Sequence, residues 1–191
     1  MTADSTAATG LKWSTATSGG LTLISTSTLS GATSISFTSI DTSYKQLFLV
    51  FSEIYQSAEN VYWSVRLNND STSGNYYYRT CYLLNSSVTS VYGGTSSTAF
   101  GADPYDAPIP TTRADDFPAQ KGYGIFTING SDLTGAKTVS WSTSGYRPGA
   151  SQQIKNFGDG IYVGTSAISR IDLIRSSTQS ITGKIHLYGV K

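Results

Sequence analysis

The chain has 191 residues, which suits one domain with a sizeable core, with or without a tail. Charged residues make up 13%, well below the usual share of about 25%, and the formal net charge is +1. With no basic block, the chain lacks the electrostatic footprint for nucleic acid or an anionic membrane. One cysteine, Cys81, excludes an internal disulfide and a cysteine-based zinc site; its strand-like surroundings mark it as a small buried hydrophobe.

Solubility comes from hydroxyls instead: there are 30 Ser and 25 Thr, so 55 of 191 residues carry one. Thr, Tyr, Val and Ile fit a pleated, half-exposed surface, and an aromatic content of 12% is too rich for a disordered chain. No apolar run is long enough to span a membrane and no signal peptide is evident, so the expectation is synthesis in a cytoplasm and no membrane insertion.

In chain order, Met1–Gly20 is poor in large apolar residues and reads as an arm or linker, with Leu11 and Trp13 as anchoring points. Residues 21–191 read as a single domain. Leu21–Leu29 and Thr33–Ile40 are Ser/Thr-rich strands parted by Ser30-Gly31. Tyr44–Ile54 (YKQLFLVFSEI) is the longest apolar run. Leu47, Leu49 and Phe51 fall on one face and Phe48 and Val50 on the other, which predicts a central strand buried on both sides.

Val61–Leu67 alternates most cleanly, with Val61, Trp63, Val65 and Leu67 inward. Asn68-Asn69-Asp70 and the residues up to Asn75 have the chemistry of a hairpin turn. Tyr76–Leu84 follows, with Tyr76, Tyr78, Thr80, Tyr82 and Leu84 on one face. Ser86–Gln120 holds four of the five prolines together with Asp103, Asp106, Asp115 and Asp116, and reads as a long, partner-facing loop. Gly122–Ile128 and Lys137–Thr143 resume strand character around a turn at Asn129-Gly130; Gly145–Gly160 reads as another loop. Ile161–Val163, Ile168–Ile174 and Lys184–Val190 are the last strands. No window keeps a 3.6-residue period, so the prediction is an all-β chain of about ten short strands forming a sandwich, barrel or jelly roll.

Catalytic chemistry is thinly represented. The lone histidine, His186, lies in a strand without a GxSxG elbow to accompany it, and a satisfied structural side chain is the simpler reading. The acids at 103–116 match no EF-hand spacing and read as a solvated loop. Glu53 and Glu59 are the only glutamates, a small pool for paired carboxylates. The tyrosines at 76–78 place phenols on both faces of one strand, which suits a subunit interface, a sugar-stacking surface, or a Tyr-rich core. The residues therefore call for no cofactor, no metal and no catalytic set.

Several short motifs carry a more specific likeness. Thr9-Gly10-Leu11-Lys12-Trp13, Gly20-Leu21-Thr22-Leu23-Ile24-Ser25-Thr26 and Leu29-Ser30-Gly31-Ala32 resemble a recurrent opening of tailed-bacteriophage virion proteins. Tyr44-Lys45-Gln46-Leu47, Arg66-Leu67-Asn68-Asn69-Asp70, Asn75-Tyr76 and the ending His186-Leu187-Tyr188-Gly189-Val190-Lys191 fit the same pattern. The resemblance implies an antiparallel β-sandwich of jelly-roll type behind an extended N-terminal arm. It further implies a module on the virion exterior, as capsid decoration or as a head- or tail-fibre component, and it transfers no active-site residue.

With it go the expectations of a homotrimer that binds other virion proteins of capsid or tail, with Leu11 and Trp13 docking the arm into a partner or neighbouring subunit and Tyr105 and Asp106 as the contacts of a glycan-binding tip. A receptor-binding fibre tip that recognises host surface glycan is the competing class, and an enzyme that degrades host polysaccharide is a third.

Overall fold

A computed structural model describes residues 2–3, 11–12, 20–56, 63–85, 87–101, 109, 121–147, 152–175 and 180–191. Thirteen strands and no helix occur among the described residues. In chain order they are β1 (Thr2–Ala3), β2 (Leu11–Lys12), β3 (Thr22–Ala32), β4 (Ile35–Phe37), β5 (Gln46–Gln56), β6 (Trp63–Leu67) and β7 (Tyr76–Leu84). Then come β8 (Ser87–Ser97), β9 (Gly122–Asn129), β10 (Lys137–Arg147), β11 (Gln152–Tyr162), β12 (Ile171–Arg175) and β13 (Ile181–Val190).

The sheets are antiparallel and unequal. Eight strands lie in the order β3-β13-β5-β9-β10-β11-β7-β8, three in the order β4-β12-β6, and β1 and β2 pair with each other as a ribbon of their own. The arrangement is that of a β-sandwich, as the alternating patterns predicted.

Alternation sets the core. Along β5 the residues Leu47, Leu49, Phe51 and Ile54 point inward and are buried. They meet Ile185 and Leu187 of β13 and Phe126 and Ile128 of β9 on the same face. The three-stranded sheet closes over them with Ile35 and Phe37, Ile171 and Leu173, and Trp63, Val65 and Leu67. All of these belong to one continuous cluster.

β5 is central, as its composition predicts, but only one of its faces is buried. Phe48 and Val50 are half-buried, because no second layer covers the outer side of the eight-stranded sheet among the described residues. Cys81 lies on that outer side too, half-exposed rather than buried.

Two segments expected as loops contain strands. Ser87–Ser97 folds back on β7 as a hairpin, and Gln152–Tyr162 runs the full length of β10. In β11, Gly158 and Gly160 mark close approach rather than a turn. A Cβ at Gly158 would lie 2.4 Å from both the Arg79 carbonyl and the Trp141 ring, so the missing side chain is the space the indole fills. Past β8 the chain crosses to the smaller sheet. Phe100 and Val65 exchange backbone hydrogen bonds of 2.9 and 3.1 Å, which anchors the crossing to β6.

Burial of the β5 face sets a direct test. Phe51 is 1% exposed, and Phe51→Ala is expected to cost about 3–5 kcal/mol from lost transfer energy and cavity. Phe51→Asp, which buries an unpaired carboxylate, is expected to leave no cooperative thermal transition. A soluble, cooperatively melting Phe51→Asp protein would remove β5 from the centre of the fold.

Candidate functional site

Two regions of the structure have features of a functional surface: the open face of the large sheet, and a polar cavity where β6, β7, β10 and β11 meet.

The open face is read directly from the register. One row runs Thr26, His186, Val50, Ile125, Ser142, Phe157, Cys81 across seven strands. The next runs Leu23, Tyr188, Phe48, Thr127, Ser140, Asp159, Arg79. Among its described side chains β10 shows hydroxyls outward (Thr138, Ser140, Ser142, Ser144), all exposed. Larger side chains stand on either side, Tyr123 and Ile125 on β9 and Phe157 and Ile161 on β11, each roughly two-fifths to one-half exposed. The charges that alternation places on this face are few: Lys155, Lys184 and the register pair Asp159 and Arg79. His186 lies here as well. Its Nδ1 is 3.0 Å from Thr26 Oγ1, so its polar atom is satisfied by a hydroxyl.

The cavity is built from turns. Asn68 and Asn69 adopt φ of 53° and 54°, the left-handed region that Asn tolerates and a type I′ turn requires, closed by Asp70 N donating to Leu67 O at 2.9 Å. Asn68 then ties this turn to the β11–β12 connection: its Oδ1 accepts from Ser169 N and Arg170 N at 2.9 and 3.2 Å, and its Nδ2 donates to Ala167 O at 3.0 Å.

Asp70 faces the cavity. Its Oδ1 accepts from Thr72 N at 2.8 Å, and its Oδ2 accepts from Asn75 Nδ2 at 2.7 Å and from Tyr162 Oη at 2.9 Å. Burial alone would raise this carboxyl, but the hydrogen bonds from Thr72, Asn75 and Tyr162 outweigh it and hold it at about 2. Burial raises the Tyr162 phenol, and the bond to Asp70 raises it further, so the ring stays a donor.

Register explains why these groups converge. Lys137, Tyr162 and Tyr76 occupy one row across β10, β11 and β7, all facing inward at the edge of the core. Tyr76 Oη donates to Asp70 O at 2.9 Å, and its ring lies 5.0 Å from that of Tyr162. Lys137 is fully buried. Its Nζ donates to Gly164 O and Ser166 O at 2.7 and 2.6 Å and sits 5.6 Å from the centre of the Tyr162 ring. Desolvation lowers this amine from its ordinary value.

Gly164 lets the turn cross the phenol: a Cβ there would stand 2.2 Å from Tyr162 Cζ. The resulting cavity has a volume of about 310 Å³ and is lined by Asn68, Asp70, Asn75, Tyr162 and residues 163–166.

Of the partner-binding residues expected from sequence, Trp13, Tyr105 and Asp106 lie outside the described residues, as do Asp103, Asp115 and Asp116. Leu11 falls in β2, in register with Ala3. Sequence reasoning reduced Asn68-Asn69-Asp70 to a hairpin turn and left Lys137 without a role. The usable signal was two Asn and an Asp directly after an inward-facing strand end. Among the described residues no three His, Cys, Asp or Glu side chains gather as a metal site.

The Asp70 network makes stability depend on acid in a defined window. A carboxyl held at about 2 in the folded state and near 3.8 unfolded contributes stability above pH 4, and loses it as pH falls from about 4 to 2. For this partly exposed group the contribution is about 1–2 kcal/mol. Chemical denaturation across that range is expected to show a smaller drop for Asp70→Asn than for the wild type. Equal drops in the two proteins would contradict the depressed carboxyl.

No protein-family model, curated protein or solved structure matches this chain.

Proposed function

We propose that this chain is a structural module of the exterior of a tailed-phage virion, serving as capsid decoration or as a fibre component, and that its work is attachment to other proteins rather than catalysis. The observation that carries the attachment is the open face of the eight-stranded sheet. Eight strands at about 4.8 Å spacing make a face about 35 Å wide, enough for the roughly 800 Å² per partner of a standard interface. Its exposed Tyr, Phe and Ile side chains, with few charges among them, match the composition of an interface core. The virion assignment rests on the resemblance of the short motifs to those of tailed-phage virion proteins.

In this reading the module is of jelly-roll type, supported by the pairing of early with late strands, β3 with β13 and β4 with β12. The face is the contact between copies in a homotrimer, and the remaining exposed surface meets the neighbouring capsid or tail protein.

Light scattering on the wild type and on a variant with Ile125→Lys and Phe157→Glu tests the assignment. Both positions are exposed, so the melting temperature is expected to stay within a few degrees of wild type. The wild type is expected to run as a trimer and the variant as a monomer. A wild type that stays monomeric at high micromolar concentration, or a variant that keeps the trimer mass, would remove the sheet face as the contact.

A further inference from the structure

We propose that the cavity at Asp70 and Tyr162 binds one uncharged sugar residue. The site is separate from the sheet-face contact and does not depend on it.

Size sets the first limit. A volume of about 310 Å³ stands at the lower end of small-molecule sites, about 300–1,000 Å³, and suits a ligand of one ring rather than an extended chain.

The polar groups left over set the second. A carboxylate offers about four lone-pair positions, and those of Asp70 are taken by the backbone and side chain of Thr72, by Asn75 and by Tyr162, so Asp70 fixes the wall and the ligand is met by its neighbours. Tyr162 Oη gives its hydrogen to Asp70 and keeps its lone pairs. Asn75 commits one amide hydrogen to Asp70; its second hydrogen and Oδ1 have no partner among the described residues. Thr165 and Ser166 are exposed at the rim, with hydroxyls likewise unengaged among the described residues. The set mixes donors and acceptors at short range, and so does a sugar, whose every hydroxyl is both. Val163, lining the same cavity, offers an apolar contact for a ring C–H face.

Charge sets the third. No lining side chain is cationic, so an acidic sugar finds no counter-charge in the cavity. A hard cation needs six or more oxygens and finds here a single carboxylate already holding the donors of Thr72, Asn75 and Tyr162. Behind the turn, the Lys137 amine bonded to Gly164 O and Ser166 O offsets the Asp70 charge, so a cationic ligand gains little. An uncharged, polyhydroxylated ring meets none of these costs. The walls are also held before binding: Tyr162 is fixed by Tyr76, Asp70 and Lys137, so little ordering entropy remains to be lost.

The test is a two-dimensional amide NMR titration of the whole chain at pH 7. The neutral probes are glucose, galactose, mannose and N-acetylglucosamine; N-acetylneuraminic acid, glucosamine and calcium chloride serve as charged probes. At least one neutral sugar is expected to shift the amides of residues 68–75 and 163–166 with a millimolar Kd. Thr165→Val, at an exposed rim position, is expected to weaken that binding about fivefold at unchanged melting temperature, the loss of one hydrogen bond. Asp70→Asn is expected to abolish it.

The proposal is overturned if no neutral sugar shifts these amides at about 50 mM, a concentration that would reveal even millimolar affinity. It is equally overturned if a charged probe binds there in their place, or if Thr165→Val leaves the affinity unchanged. The variant with Ile125→Lys and Phe157→Glu is expected to keep sugar binding, which separates this site from the sheet-face contact.

Discussion

Phe100 holds the two sheets to each other. Its ring lies 5.0 Å from Tyr76, 6.3 Å from Tyr78, 5.8 Å from Phe126 and 6.4 Å from Trp141, so it touches β7, β9 and β10 of the large sheet at once. Its backbone meanwhile pairs with Val65 of the small sheet. Aromatic pairs at these separations add specific geometry to the area they bury. Because β7, β9 and β10 all send large rings to the same point, the large sheet is heavily committed on one side. The other side faces no second sheet among the described residues, which is why a sheet of eight strands can have a half-exposed centre at Phe48 and Val50.

The two outer surfaces that result differ in kind. On the small sheet the outward row is Ser36, Asp172 and Arg66. Asp172 there is 4% exposed, held by both oxygens to Arg170 Nε at 2.9 Å and by Ser36 Oγ at 2.6 Å, while Arg66 Nε donates to Thr98 O at 3.2 Å. Charges on that side are spent internally. The large sheet presents rings, branched chains and hydroxyls instead. An interface core disfavours unpaired charge and favours aromatic area, so docking by the large sheet requires less desolvation than docking by the small one.

Much of this architecture was legible in the residues. The alternation in β6, the shared face of Tyr76, Tyr78 and Tyr82, and the central position of β5 all follow from a period of two. What alternation could not convey was which apolar face stays open. Phe48 and Val50 read as buried because hydrophobicity reports a preference, whereas coverage depends on how many strands the partner sheet supplies. β8 and β11 were hidden by their glycines, since Gly93-Gly94 and Gly158-Asp159-Gly160 carry the composition of turns. The Trp141 ring that makes Gly158 necessary lies on another strand. The cavity was less legible still. Asn68-Asn69-Asp70 announced a turn, and a turn it is, but its partners are Asn75, Tyr162 and the chain around 167–170, nearly a hundred residues away. Nothing local marks Lys137 as buried, because lysine is rarely found there and its acceptors are backbone carbonyls that any residue supplies.

The buried Lys137 and the ionised Asp70 also explain why a polar cavity can persist beside an aromatic core. Each charged group sits on one side of the Tyr162 ring system, the amine 5.6 Å from its centre and the carboxylate 2.9 Å from its hydroxyl. Alone, either would be costly to bury. The amine is satisfied by the carbonyls of the 164–166 turn, and the carboxylate by donors from the 70–75 turn, so each charge fixes one loop. Tyr162 joins the two loops through its hydroxyl and its ring. A polar network satisfied in this way rigidifies the end of the sandwich where alternation no longer supplies apolar contacts. The cavity is therefore the space between two braced turns, and its shape follows from how those charges are satisfied.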